Sequence, residues 1–297
     1  MDILDSFDFD AVDENAFTDH SDVSPHHLQL LNDLSKASAL GDRVAAFEAF
    51  TTLRYTNASQ RILARPRNAL QIAIERRDEE MAAYLLSEGV HVVAEDVRTA
   101  TLSRSRPIIN LLLEHGWPIN AKLGWYDPPA MAYATDDLEL TRWFLSKKAD
   151  PNARCGIDKT PLSVAVQKGL VVVIQALFAH GGVVHRGQLL HWATSRQKDD
   201  RTAVLKFLLQ KGATINAIMY ENDEDSFIQR KPFGLGTPLH AAAAAGHMDV
   251  IRLLLERGAD VRATDTCGRL AFEIAQENQH YEATDLLRPF HATLALS

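Results

Sequence analysis

Residues 236–265 read GTPLHAAAAAGHMDVIRLLLERGADVRATD, and this stretch predicts two short helices joined by tight turns. Thr237 can cap the first helix with its hydroxyl, and Pro238 stands at the first helical position, where a missing N–H costs nothing. Gly246 ends that helix, and residues 248–256 form the second, which has one apolar face. A single helix pair of this kind cannot bury its own apolar faces, so the stretch predicts that several pairs stack side by side.

The same pattern recurs along most of the chain. The leucine position of the Thr-Pro-Leu-His motif is occupied in turn by Leu70, Val97, Pro129, Leu162, Leu190 and Leu239. The order of turn, helix, helix and extended loop resembles the ankyrin repeat, which takes about 33 residues. The resemblance covers roughly residues 68–290 and implies an all-α ankyrin-repeat α-solenoid of about six repeats with degenerate N- and C-terminal caps. Proteins of this family usually recognise another protein through their extended loops, called fingers, and their inner helices.

We predict four regions along the chain. They are an acidic, disordered tail at 1–25, capping helices and a connector at 26–67, the repeats at 68–265, and a C-terminal cap and tail at 266–297. Leu190 and Leu239 are 49 positions apart, which predicts a long insert at 216–236 in the finger between them. Because the insert mixes acids with apolar residues, we expect it to fold back over the concave side.

The negative charge is concentrated at the N-terminus. The formal net charge is −8, and residues 1–25 contain eight acids and no Lys or Arg, which leaves the remainder neutral. A neutral repeat body argues against a nucleic-acid partner. Phe7, Phe9 and Phe17 stand among the acids, so the tail is either an acidic–aromatic docking peptide or a solubilising segment.

The sequence also bears on the cellular compartment. No run of eighteen apolar residues predicts a membrane span, and the N-terminus lacks the basic flank and apolar core of a secretory signal. We therefore expect an intracellular protein, cytoplasmic or nuclear, whose thiols are reduced. Cys155 and Cys267 fall in fingers several repeats apart, too distant for a disulfide.

The inner helices predict a groove with an apolar middle. In each repeat, the residue after the motif's His position and the residue three further on face the groove. Fingers and insert add aromatic residues that can overhang it. The predicted groove residues are Trp125, Tyr126, Met131, Val164, Trp192, Tyr220, Phe227 and Phe233. They either anchor a partner or fill gaps where the repeats have lost small alanines.

Residues that carry conventional chemistry are few. His191 and His240 occupy the motif's His position, which in the family hydrogen-bonds neighbouring turns. No zinc, phosphate-loop or hydrolase motif is present, so we predict no metal and no cofactor. Weak candidates for acid–base chemistry near the groove are Asp127, Tyr133, His185 and His91.

Two functions remain open. The first is an interaction module that recognises a partner protein or peptide through its concave face and finger loops. The alternative is a protein that binds a hydrophobic small molecule, or a cofactor-free cyclase or isomerase, with an aromatic pocket around Trp125, Met131 and Trp192. An enclosed cavity of roughly 300–1,000 Å³ near Trp192 would favour the alternative, whereas an open groove favours protein recognition.

Overall fold

The computed structural model describes residues 23–56 and 67–292, which are mainly helical. These residues form sixteen α-helices and two 3-10 helices, with an isolated antiparallel bridge between Thr264 and Leu270. The chain divides into two compact units between Trp125 and Tyr126. Among the described residues, no helix has both the length and the apolar content needed to cross a bilayer. The predicted acidic tail lies almost wholly outside the described residues, so both interpretations of it, like the four region boundaries, stay predictions.

The first unit, residues 1–125, contains six α-helices in its described part. They are α1 (Pro25–Leu40), α2 (Arg43–Tyr55), α3 (Arg67–Glu75), α4 (Glu79–Ser87), α5 (Ala94–Leu102) and α6 (Arg106–Glu114). α1, α3 and α5 form an inner row, and α2, α4 and α6 each pack against the inner helix that precedes them. Asp42 and Asp78 begin α2 and α4, since each carboxylate accepts a hydrogen bond from a first-turn backbone N–H.

The second unit, residues 126–297, contains ten α-helices and both 3-10 helices among its described residues. In order they are a 3-10 helix (Ala130–Ala134), α7 (Leu138–Ser146), α8 (Pro161–Lys168), α9 (Val171–Ala179), α10 (Leu189–Thr194), α11 (Arg201–Gln210), α12 (Glu224–Arg230), a 3-10 helix (Lys231–Phe233), α13 (Pro238–Ala245), α14 (Met248–Glu256), α15 (Ala271–Glu277) and α16 (Tyr281–Ala292). The inner row is the first 3-10 helix, α8, α10, α13 and α15, each packed on the next. α7, α9, α11, α14 and α16 each pack on one inner element.

A repeated register ties the helix pairs together. A left-handed residue follows each outer helix from α4 to α14, with φ between 67° and 97° at Gly89, Gly116, Lys148, Gly181, Gly212 and Gly258. The apolar side chain four positions earlier is 0% exposed in every case, at Leu85, Leu112, Phe144, Leu177, Leu208 and Leu254. Successive pairs within each unit therefore share one core, and the predicted all-α fold of stacked helix pairs is confirmed.

The structure departs from the repeat pattern after Pro128 and Pro129. The inner element that follows is a single 3-10 helix of five residues rather than the expected α-helix. The two prolines supply no backbone N–H, and Pro129 is extended, with φ −53° and ψ 160°. The carbonyl of Ala134 at the end of this turn is satisfied by the Thr141 hydroxyl at 2.8 Å. This short element places Met131 in the interior, at 0% exposure.

Candidate interaction face

Equivalent positions on successive inner helices of the second unit define a candidate surface. We call it the inner face, and it consists of Val164, Gln167, Trp192, Ser195, Ala241 and Ala244. Val164 is buried, Gln167, Trp192, Ser195 and Ala241 are half-buried, and Ala244 is exposed. Trp192 on α10 is therefore the large aromatic side chain that this face presents to solvent.

Trp192 carries a polar atom without a partner. Its indole Nε1 is buried and finds no hydrogen-bond acceptor in the described part of the protein. Lys159 Nζ stands 5.1 Å from the centroid of the same ring, within the range of a cation–π contact. A buried N–H without an acceptor costs about 1–3 kcal/mol, so this indole is an unusual feature for a purely structural tryptophan.

Unpaired cations lie on the fingers on either side of α8. Lys159 is half-buried on the finger that precedes α8, and Arg186 is exposed on the finger that follows α9. Neither forms an ion pair with any described residue. The carboxylate of the neighbouring Asp158 is already occupied, since it accepts hydrogen bonds from Gly187 N at 3.0 Å and Gln188 Nε2 at 2.7 Å. Lys159 is therefore a cation that stands beside Trp192 without an ion-pair partner among the described residues.

The insert at 216–236, which we call the strap, contains α12 and is anchored near its middle to the finger before α8. The hydroxyl of Ser226, which is 0% exposed, accepts a hydrogen bond from Asp158 N at 3.0 Å. Arg154 on the same finger forms ion pairs with Asp223 and Asp225 at the start of α12. Asp223 also caps α12, because its carboxylate accepts from Ser226 N at 3.0 Å.

The strap is anchored again on two other fingers. Tyr220 N donates to Gln188 Oε1 at 2.8 Å, on the finger before α10. Leu235 N donates to Thr266 Oγ1 at 2.8 Å, and that hydroxyl donates to Lys231 O at 2.6 Å, on the finger before α15. These contacts fix three fingers relative to one another. Because the contacts lie on fingers, the structure describes a strap along the finger loops, and the predicted roof over the concave side stays a prediction.

A buried arginine joins α10 to α8. Arg196 is 0% exposed, and its guanidinium donates to Val166 O and Gly169 O, each at 2.9 Å, at the C-terminal end of α8. Its Nε and Nη2 donate to the carboxylate of Asp200 at 2.5 and 2.8 Å. The hydrogen bond from Arg196 lowers the pKa of Asp200. The guanidinium therefore satisfies α8 end carbonyls that have no partner within the helix.

The two motif histidines hold neighbouring fingers, as predicted. His191 Nε2 is 3.1 Å from Gly236 O, and His240 Nε2 is 3.1 Å from Arg269 O. Burial lowers the pKa of His191 to about 4, because desolvation disfavours the imidazolium and outweighs the opposing hydrogen bond to Gly236. Desolvation also lowers the pKa of His240. Both rings are thus neutral structural groups at neutral pH.

The predicted groove residues differ in their exposure to solvent. Met131, Val164 and Tyr220 are buried, with Tyr220 5% exposed and its pKa raised to about 12 by desolvation, so they present little surface to a partner. Phe227 on the strap is half-buried, and Phe233 is 76% exposed.

The two aromatic residues at the boundary of the units are both exposed. Tyr126 is 54% exposed in the second unit, with the Arg230 guanidinium 5.0 Å from its ring centroid. Trp125 is 44% exposed in the first unit, with Lys122 Nζ 5.2 Å from its ring. Only Trp192 among the predicted groove residues therefore combines partial exposure with a position on the inner face of the second unit.

The acid–base candidates differ in their surroundings. Tyr133 donates its phenol proton to Asp127 Oδ1 at 2.9 Å, so these two residues do meet. His91 is exposed in the first unit. His185 lines a pocket of about 40 Å³ together with Gln188, His191 and Ile218. A pocket of that volume holds a few water molecules and is roughly tenfold too small for a hydrophobic substrate.

Three residues that the sequence did not single out contribute to the candidate face or support it. Arg196 and Asp200 lie in a six-residue connector between α10 and α11, where the equivalent connector between α8 and α9 has two residues. The extra length and the Arg/Asp spacing of four were visible in the sequence, but the α8 carbonyls that Arg196 binds were not. Lys159 gave no local signal, since its partner ring lies 33 positions further along the chain.

The stacked helix pairs, capped fingers and partly exposed inner face define a helical repeat protein of the kind that presents a surface to other proteins. Comparison with known families identifies which kind. A model described as ankyrin repeats (3 copies) matches residues 129–219, and one described as ankyrin repeat matches residues 236–266. The chain is an ankyrin-repeat protein, and such repeats typically serve in protein–protein interaction.

Similarity to curated proteins is confined to parts of their lengths. The probable E3 ubiquitin-protein ligase XBOS33 of Oryza sativa subsp. japonica is 44% identical over 61 residues, which is 20% of this chain and 12% of that protein. Ankyrin repeat domain-containing protein 49 of Homo sapiens is 37% identical over 76 residues, 26% of each protein. Ankyrin repeat protein nuc-2 of Neurospora crassa is 26% identical over 234 residues, 75% of this chain and 21% of that protein. The chain thus spans about a quarter or less of each of these relatives.

Proposed function

We propose that this chain is an interaction module that recognises a partner protein or peptide through the inner face of the second unit and the fingers beside it. The observation that carries the proposal is the fixing of three fingers by the strap next to the partly exposed Trp192. Interfaces depend on a few aromatic and Arg anchors held in place before the partner arrives. A prearranged finger edge lowers the entropy lost on binding.

The composition of the face supports a protein partner over a small molecule. The inner face mixes Trp192 with Gln167 and Ser195, and the adjacent fingers add Lys159 and Arg186. Such a mixture of an aromatic anchor with polar and charged neighbours is typical of protein interfaces, whereas small-molecule sites are mostly apolar and enclosed. The pocket of about 40 Å³ by His185 is too small for an apolar substrate, and none of Trp125, Met131 and Trp192 lines it.

Site-specific photocrosslinking tests the proposal. A photoreactive amino acid replaces Ser195 on the inner face in one variant and the exposed Lys206 on the outer helix α11 in a control variant. We expect a discrete protein adduct in native extract from position 195, competed by unlabelled full chain, and none from position 206. Equal labelling from both positions, or none from either, would show that the inner face does not bind the partner.

A further inference from the structure

Packing alone does not explain why the side chain at position 192 has a buried indole N–H. Phenylalanine would fill the same aromatic position without burying an N–H, whereas the indole Nε1 is buried and has no acceptor among the described residues. An unpartnered buried donor destabilises the free protein by about 1–3 kcal/mol. Such a cost is understandable at a site where a ligand supplies the missing acceptor.

The surroundings of the indole define the chemistry of that acceptor. Lys159 Nζ lies 5.1 Å from the ring centroid, so a group that pairs with the ammonium must lie within a few ångströms of the indole. Lys159 and the exposed Arg186 have no acidic partner in the described part of the chain. The nearest acid along the chain, Asp158, has its carboxylate engaged by Gly187 and Gln188. One neutral donor beside one cation without an ion-pair partner favours an anionic oxygen over a carbonyl or water.

We propose that the Trp192 indole N–H and the Lys159 ammonium bind the carboxylate of an acidic side chain in the partner, with Arg186 as an electrostatic guide. The proposal rests on the proposed function, and it specifies the partner as a protein segment that carries Asp or Glu beside an apolar residue. Lys159 is a flexible, half-buried side chain, so the carboxylate draws its ammonium aside as it reaches the indole.

The other anionic macromolecule, a nucleic acid, fits this surface less well. The strap places Asp223, Glu224 and Asp225 beside the same fingers, and the exposed carboxylates of Glu224 and Asp225 repel a continuous phosphate backbone. A nucleic-acid surface instead carries a row of Lys and Arg that tracks successive phosphates. A single carboxylate that enters between Lys159 and Trp192 avoids that repulsion.

The test uses the full chain and three fluorescent probes: a short peptide of alternating Glu and Leu, its Gln/Leu counterpart, and a single-stranded oligonucleotide of similar length. We expect the Glu peptide to bind, the Gln peptide to bind about tenfold more weakly, and Trp192→Phe and Lys159→Gln each to weaken the Glu peptide about tenfold, the loss expected for one charge-assisted hydrogen bond. Trp143→Phe, on the outer helix α7, is the matched control and should leave peptide affinity unchanged.

A second readout separates binding from folding. Of the four indole N–H resonances expected for this chain, the one lost in Trp192→Phe should move downfield when the Glu peptide is added to the wild type. The urea midpoint of free Trp192→Phe should equal or exceed that of the wild type, because the substitution removes the unpartnered donor. The proposal would be overturned by a lower urea midpoint in Trp192→Phe or by tighter binding of the oligonucleotide than of the Glu peptide. It would also be overturned if the Glu peptide did not bind, or bound no more tightly than the Gln peptide. Persistent crosslinking from position 195 in that case would leave the proposed function standing.

Discussion

Arg196 offers the sharpest test of how the second unit is held together. The substitution Arg196→Met keeps the apolar stem and removes the guanidinium, which is wholly buried and makes hydrogen bonds to Val166 O, Gly169 O and Asp200. Val166 O loses its donor, Gly169 O keeps only the hydrogen bond from Lys198 Nζ at 3.1 Å, and the Asp200 carboxylate loses its cation. Removing one partner of a buried ion pair costs about 3–5 kcal/mol. The Asp200 side chain is 35% exposed and regains some hydration, so we expect the lower end, about 3 kcal/mol.

The assay is equilibrium urea unfolding followed by circular dichroism and by tryptophan fluorescence. Arg252→Met is the matched control, because Arg252 forms an ion pair with Glu282 at 3.4 Å while both side chains are more than half exposed. Such surface pairs contribute about 0–1 kcal/mol. If Arg196→Met lowers the free energy of unfolding no more than Arg252→Met does, the buried guanidinium does not hold α10 on α8.

A double-mutant cycle separates the two kinds of partner. Asp200→Asn leaves the guanidinium bound to the α8 carbonyls, and Arg196→Met/Asp200→Asn removes both charges together. Neighbours that act as one network show coupling energies of about 0.5–3 kcal/mol. We therefore expect the double variant to lose less stability than the sum of the two single variants. Strict additivity would show that Arg196 acts on the carbonyls alone.

Three further predictions concern the repeats and the strap. The pKa of His191 is about 4 in the folded chain and 6.5 in the unfolded chain, so the unfolded chain binds the proton first as the pH falls. The free energy of unfolding therefore decreases by about 3 kcal/mol from pH 6.5 to 4, and the urea midpoint should fall less steeply over that range in His191→Gln. Gly169→Ala would place a Cβ 2.8 Å from backbone atoms and cost about 1–3 kcal/mol, whereas the Cβ of Gly258→Ala meets open space and costs about 1 kcal/mol from the positive φ alone. If the urea midpoint falls no further in Gly169→Ala than in Gly258→Ala, the clash is refuted. Thr266→Val removes the hydroxyl that accepts from the strap and donates to it, so trypsin should cleave after Arg230 faster than in the wild type, whereas the Lys231–Pro232 bond resists the enzyme. Unchanged cleavage would mean that the strap is held elsewhere.

The parts of the fold that could be predicted are those determined by short sequence motifs within each repeat. The helix pair around Thr237 and the hydrogen-bonding role of His191 and His240 follow from a motif a few residues long. Burial could not be predicted from the same motif. Met131 and Val164 were predicted to face a groove and are buried, because periodicity gives the direction of a side chain along a helix and not what covers it.

The contacts that distinguish this protein join residues far apart in sequence. Ser226 meets Asp158 across 68 positions, and Arg196 reaches Val166 across 30. A single sequence contains no local pattern that predicts such long-range contacts. The lengths of the insert and of the α10–α11 connector nevertheless indicated the segments in which these contacts lie. The composition of the strap likewise predicted apolar contacts, whereas its anchoring is mainly polar, through Ser226, Arg154 and Thr266.

Two of the three departures from a regular repeat, the α10–α11 connector and the strap, converge on α10. The connector after α10 places Arg196 against α8, and the strap fixes the fingers that flank Trp192. An unpartnered indole N–H persists only where the surrounding structure prevents the ring from turning toward water or another acceptor. The Arg196 clamp and the strap supply that restraint, which explains why both lie beside the one inner-face residue whose polar atom lacks an acceptor within the described chain. On this reasoning Arg196→Met should loosen α10 and weaken acidic-peptide binding even though Arg196 itself is wholly buried and touches no partner.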